Sequence, residues 1–187
     1  MNALHLRFLA SPEWREMLET DLLPWLLRVV DLGDDVLEIG PGPGLTTDLL
    51  RQQAAKVTAV EIDDRLANAL AARLAGSNVD VVHVDATASG LPSNRFSTAT
   101  CFSMLHHMPS AAVQDRLFAE VHRMLRPGGA FVGVDALDSE GIRQGHVDDV
   151  FVPVDPATLP TRLREAGFTD VRVDVDVYQL RFCAAKR

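Results

Sequence analysis

A chain of 187 residues, 47% hydrophobic and 24% charged, is long enough for one buried core and short for two domains. Its net charge of −8 offers no attraction to phosphate backbones, which argues against nucleic-acid binding. No apolar run approaches the ~20 residues that span a bilayer. The first residues lack the basic stretch and small-residue cleavage site of a signal peptide, so a cytoplasmic protein is expected. The two cysteines, Cys101 and Cys183, lie in apolar surroundings and read as buried thiols. No Cys/His cluster has metal-ligand spacing, so no metal site is expected.

Residues 1–33 read as helical. Ser11-Pro12-Glu13 is a helix start, with Ser as N-cap and Pro at the first helical position. Trp14, Met17 and Leu18 then share a face, and a second helix is expected from Asp21 to Leu32, with Pro24 in its first turn and Gly33 as its stop. Two roles are open for residues 5–18: packing at the sheet edge, or a lid over a ligand.

From Asp34 onward the pattern becomes α/β. Val36, Leu37 and Ile39 form a short apolar run of the kind buried on both faces of a parallel sheet. Gly40-Pro41-Gly42-Pro43-Gly44 must turn, and a helix opens at Leu45. Strand, glycine turn and helix N-terminus together make a nucleotide-binding layout. The spacing G-x-G-x-G departs from the G-x-G-x-x-G of pyrophosphate sites, because the third position after Gly42 is Leu45. Lys56 to Glu61 is a second strand ending in an acid followed by Ile62, and a carboxylate there can accept hydrogen bonds from both ribose hydroxyls of an adenosyl group. Asp64 caps a helix ending at Gly76. Val79 to Val84 is the third strand, followed by Asp85-Ala86, with His83 read as a core or face residue. Phe96 to Ser103 is the fourth strand, leading into Met104-Leu105-His106-His107-Met108. That histidine pair either borders the reacting group or caps the next helix. A helix over 111–125, a fifth strand over 130–136, a polar loop without helical period over 137–153, a helix over 156–166 and a closing hairpin (169–177, 179–184) complete the chain.

Glu38-x-Gly40-x-Gly42-x-Gly44 resembles the first motif of class I S-adenosylmethionine-dependent methyltransferases. Asp85-Ala86 with Leu91-Pro92, Leu105-His106-His107, Leu125-Arg126-Pro127-Gly128-Gly129 and Ala166-Gly167-Phe168 before two strands follow in that family's order. They are similar to the small-molecule, ubiquinone/menaquinone-biosynthesis type over about residues 34–185. Ser97 departs from the family's usual Phe-Asp and is read as peripheral.

The resemblance implies a Rossmann-like, doubly wound seven-stranded sheet of order 3-2-1-4-5-7-6 with the last strand antiparallel. It implies one domain over 1–187, in which 34–187 form the cofactor core. Glu38, Gly40, Pro41, Gly42 and Gly44 would hold the amino-acid end of S-adenosyl-L-methionine. Glu61 and Ile62 would hold its ribose end and Asp85 and Ala86 its adenine, with Ser103 and Leu105 also among the cofactor-binding residues. His106, His107 and His146 are the candidate bases, since histidine titrates near neutrality; Asp135 is a weaker one. The expected partner is a small, lipophilic methyl acceptor, with a homodimer where a second subunit completes the pocket. Two rivals stay open. One is a catalytically silent adenosyl-cofactor-binding protein acting through partners. The other is a nicotinamide oxidoreductase, against which stands the lack of any Tyr-x-x-x-Lys pair: the single tyrosine, Tyr178, has Phe182 four residues on.

Overall fold

In the computed structural model, which describes residues 2–187, Asp35–Ile39 forms the central strand β1. It is flanked on both sides by parallel partners, β2 (Lys56–Glu61) and β4 (Phe96–Phe102). That position explains its continuous apolar run: Val36 and Leu37 are 0% exposed and face opposite sides of the sheet. β3 (Val79–His83) pairs with β2, and β5 (Leu125–Ala136) with β4. β7 (Gln179–Ala185) runs antiparallel between β5 and β6 (Thr169–Val175), so the order is β3-β2-β1-β4-β5-β7-β6 as expected.

Two apolar layers cover the sheet. On one face lie α1 (Ala3–Leu9), α2 (Pro12–Met17), α3 (Leu23–Val29), α4 (Leu45–Leu50) and α5 (Asp64–Arg73), which contribute Leu9, Trp14, Trp25, Leu50 and Leu70. On the other lie α6 (Ala111–Met124) and α8 (Leu159–Glu165), contributing Leu117, Phe118, Val121, Leu159 and Leu163. β5 serves both layers by alternation: Phe131 enters the second, Val132 and Val134 the first. Phe131 lies 4.9 Å from the Phe182 ring and 5.7 Å from Phe168. Phe131→Ala is expected to lower stability by about 3–5 kcal/mol, read by urea unfolding, because the enclosing rings cannot collapse into the gap.

Five details differ from the sequence reading. The cap of α5 is Asp63, whose Oδ1 accepts Arg65 N–H at 2.9 Å and Leu66 N–H at 3.0 Å, with Asp64 the first helical residue. The second N-terminal helix does not start afresh at Asp21: a π-helical turn, Leu18–Leu22, joins α2 to α3, with Leu23 N–H donating to Leu18 O. It ends at Val29 because Val30 is already extended (φ −146°, ψ 144°). The fifth strand begins at Leu125, which pairs with Phe96 ahead of a register shift. The last helix starts at Leu159, after a turn at 156–158. The stretch 137–153 contains a short helix, α7 (Glu140–Gly145), whose cap is Ser139 Oγ accepting from Ile142 N–H at 3.3 Å. It buries no side chain, so its sequence carries no apolar period to reveal it. The Phe-Ser departure also has a local cause. Ser97 Oγ lies 2.6 Å from Leu32 O and accepts Asp35 N–H at 3.1 Å, pinning the entry to β1 at the end of the sheet remote from the glycine turn.

Candidate active site

The carboxyl end of β1 runs straight into the glycine turn. Gly40, Gly42 and Gly44 have φ of +68°, +54° and +86°, values that a side chain would strain. Gly44 is the N-cap of α4, so the turn delivers the chain to a helix N-terminus. Glu61, 6% exposed, reaches from the end of β2 into this turn: its carboxylate accepts Gly42 N–H at 3.0 Å and Asp63 N–H at 2.9 Å. Those bonds leave lone pairs on both oxygens for hydroxyl donors.

Glu38 sits beneath the turn, 3% exposed, and its Oε2 has no hydrogen-bond partner among the described residues. Burial pushes its pKa up to about 8, with the Asp48 and Glu61 charges adding to the effect. Glu38, Gly40, Pro41, Thr100, Phe102, Leu9 and Trp14 line a common pocket, the last two supplied by the N-terminal helices. A buried carboxylate with an orphan oxygen, set below left-handed glycines, fits an ammonium-bearing ligand; the ion pair would restore its charge.

The remaining predicted cofactor residues are spread along the same edge. Ile62 is 66% exposed beside Glu61. Asp85 is exposed and caps the short turn Ala86–Ala88, its Oδ1 accepting Thr87 N–H at 2.8 Å. Ser103 follows β4 with φ +51°, a left-handed conformation costly for a residue with a Cβ, and donates its N–H to Val134 O at 2.8 Å. Leu105 is 0% exposed and its side chain belongs to the core. His83 is on the surface, 3.1 Å from Ile62 O.

Beside Ser103 opens a cavity of about 570 Å³. α1 gives it Leu4, His5 and Phe8, the post-β4 turn gives His106, and the α7 region gives Ile142 and His146. Its polar end is a group of histidines. His106 and Asp135 are both buried and hydrogen-bonded through His106 Nδ1, so the N–H is on Nδ1, and Nε2 has no partner among the described residues. Asp135 also accepts Ala136 N–H at 2.8 Å. His146 Nδ1 donates to Ile142 O at 2.7 Å, which leaves a lone pair on Nε2 to accept His5 Nδ1–H at 3.0 Å. The His107 ring centroid lies 4.2 Å from that of His106, and its Nδ1 is 3.8 Å from Asp149. Burial lowers the pKa of His5 to about 4 and of His107 to about 3, and the charges of neighbouring histidines push the same way. Both are therefore neutral imidazoles at neutral pH.

The alternative of a helix-capping histidine pair does not hold, because the N-cap of α6 is Ser110, whose Oγ accepts from Val113 N–H at 3.3 Å. Sequence reasoning named His106, His107, His146 and Asp135, and the fold brings all four together. It passed over His5, which sits on a separate N-terminal helix. It also read no ligand cluster, since the four rings come from three distant segments and share no spacing.

Residues 37–133, more than half of the chain, match the family model described as a methyltransferase domain. Among curated proteins, the ubiquinone biosynthesis O-methyltransferase of Pseudomonas entomophila is 29% identical over 109 residues, 56% of this chain and 46% of the relative. The ribosomal RNA small subunit methyltransferase A of Ligilactobacillus salivarius is 55% identical over 53 residues, 28% of this chain and 18% of the relative. The matched region thus spans less than half the length of these relatives. Among solved structures, a SAM dependent methyltransferase from Aquifex aeolicus superposes with a TM-score of 0.76 at 21% identity, covering 98% of each chain. A phosphoethanolamine N-methyltransferase 2 from Haemonchus contortus, in complex with S-adenosylhomocysteine, gives 0.73 at 16% identity over 88% of this chain and 52% of its own. These structural likenesses repeat the fold, and the family match spans the glycine turn, the Glu61 strand and the histidine turn: the chain belongs to the methyltransferase domain family.

Proposed function

We propose that this protein transfers a methyl group from S-adenosylmethionine to a small, largely apolar acceptor. The observation that carries the reading is the adjacency of two sites at one sheet edge: a glycine turn over the orphan carboxyl of Glu38, in a pocket that Phe102 lines, and the cavity of about 570 Å³ that the next residue, Ser103, lines. A volume of that size suits a small ligand, and apolar walls with a few polar groups are the usual make-up of such sites. When bound, the cofactor supplies a methyl group on a sulfonium, which needs only an aligned acceptor. Gly40, Pro41, Gly42 and Gly44 give the backbone its close approach, Glu38 meets the ammonium, Glu61 the ribose, and Asp85 the adenine amino group, with Ile62 and Ala86 against the ring. Ser103 and the Leu105 backbone shape the reactive side. Holding the acceptor in line contributes up to roughly 7–11 kcal/mol to such a reaction. His106, His107 and His146 form the polar end of the acceptor cavity and handle the acceptor's proton, while α1 and α2 act as the lid over both sites.

Glu61→Ala removes charge-assisted hydrogen bonds of about 1.5–3 kcal/mol each, so calorimetry should report S-adenosylmethionine affinity at least about 10- to 100-fold weaker. Tight NADH binding with no S-adenosylmethionine binding would overturn the reading. A nucleic-acid acceptor has the short ribosomal RNA relative in its favour, but that match covers 28% of the chain and the charge is −8. Radiolabelled methyl transfer to a panel of small lipophilic hydroxyl and carboxyl compounds, beside total RNA and a protein lysate, separates the two. Label in RNA or protein alone would reject the small acceptor. No transfer to any acceptor despite tight cofactor binding would favour the catalytically silent alternative.

A further inference from the structure

We propose that His5, His106, His107 and His146 form a binding site for one divalent first-row transition ion, zinc in the first instance, at the polar end of the acceptor cavity. One ring nitrogen from each of the four lies within 4.8 Å of all the others. Two rings already stand as ligands do. His106 gives its Nδ1–H to the Asp135 carboxylate, leaving Nε2 buried and without a partner among the described residues. His146 gives its Nδ1–H to Ile142 O at 2.7 Å, which turns the Nε2 lone pair toward His5. A ligating histidine commonly donates its other N–H to a carboxylate or a backbone carbonyl, which fixes tautomer and ring orientation. His5 Nδ1 and His146 Nε2 are 3.0 Å apart, close to the roughly 3.3 Å between two nitrogens on a tetrahedral ion with bonds of about 2.0–2.1 Å. His107 completes the set from the side of His106, and neither of its ring nitrogens makes a hydrogen bond among the described residues.

Buried polar atoms are normally paired. Here three buried imidazole nitrogens, His106 Nε2 and both of His107, have no hydrogen-bond partner among the described residues. An ion accepting lone pairs at the centre of the group would satisfy two of the rings at once and replace the single His5–His146 hydrogen bond. An all-imidazole set suits zinc, copper or nickel and is poor for magnesium or calcium, which want oxygen. His5, His106 and His146 line the cavity, so the ion would face the acceptor. The consequence for chemistry rests on the methyl-transfer reading: an acceptor hydroxyl joining as a fifth ligand would release its proton to solvent more readily, as metal-bound water does, the histidines then acting through the ion and not as free bases. The ion site itself does not rest on that reading.

The test uses the full chain purified without a histidine tag, stripped with chelator, desalted and titrated with Zn²⁺ and, separately, with Co²⁺. One zinc per chain should survive desalting, and the cobalt form should show the visible spectrum of a tetrahedral ion. His107→Gln and His146→Gln should each weaken zinc binding at least tenfold, and Asp135→Asn, which touches no ion, about 10- to 100-fold. Zinc at the level of the buffer blank with no tetrahedral cobalt spectrum would overturn the proposal, as would zinc retention equal to that of the wild type in all three variants. S-adenosylhomocysteine calorimetry on the same samples reports the cofactor site separately. Zinc binding with no S-adenosylhomocysteine binding would count against the methyltransferase reading while leaving the ion site standing.

Discussion

Glu38→Gln is expected to stabilise the cofactor-free protein by several kcal/mol at pH 8 while removing most of its affinity for S-adenosylmethionine. The folded-state pKa of Glu38 rises from 4.5 to about 8 because burial penalises its charge. Between those two values the folded chain keeps a proton that the unfolded chain has released, so wild-type stability falls as pH rises through the window and levels off above it. At about 1.4 kcal/mol per pH unit the full fall is about 5 kcal/mol. Glutamine carries no charge in either state, so its curve should lack that fall, with the two proteins alike near pH 4.5 and furthest apart at pH 8. Urea unfolding at a series of pH values measures the difference; parallel curves would refute the assignment. The wild type should also release about one proton on binding the cofactor at pH 7, seen as calorimetric heats that vary with buffer ionisation enthalpy.

Removal of the Asp135 carboxylate should destabilise the fold by about 3 kcal/mol or more, since each buried donor left without an acceptor costs about 1–3 kcal/mol. In Asp135→Ala, three donors lose their acceptor: His106 Nδ1–H, His106 N–H and Ala136 N–H. The variant is to be measured by urea unfolding at low temperature, since a loss of that size takes a large share of a typical 5–15 kcal/mol. Asp135→Asn keeps an oxygen toward His106 and should lose less. Equal stability of Asp135→Ala and wild type would mean that the pair contributes nothing to the fold.

The sheet was legible in the sequence because its signals are local. Short runs rich in β-branched residues, closed by glycine or an acid, marked β1 to β3, the run from Phe96 to Phe102 marked β4, and the alternation at Val171, Val173 and Val175 marked the hairpin. The left-handed glycines were legible for the same reason, since no other residue tolerates Gly-Pro-Gly-Pro-Gly. Three features were not. α7 is held by a serine cap and solvent-facing bonds, and leaves no apolar period. The left-handed Ser103 is imposed by β4 and β5 around it, which no local propensity encodes. His5 acquires its chemistry only because α1 folds over the sheet edge and sets its ring 4.7 Å from those of His107 and His146.

The π-helical turn at Leu18–Leu22 sets an angular phase for everything before it. It holds one residue more than an α-helical turn would, with Leu18 and Leu22 buried on its inner side. An α-helix advances about 100° per residue. Because the wide turn absorbs its extra residue, a deletion within it would restore ordinary helix with the preceding segment facing as before, whereas a deletion in the regular helix just ahead of it, among residues 15–17, would swing that segment through about that angle. Trp14 and Leu9 would leave the Glu38 pocket, and His5 and Phe8 would leave the acceptor cavity, while the glycine turn, Glu61 and Asp135 stayed in place. The wide turn is thus a buffer for chain length: a residue gained or lost inside it leaves the two pockets lined as they are, while one gained or lost ahead of it exchanges the residues that the N-terminal helices lend to both.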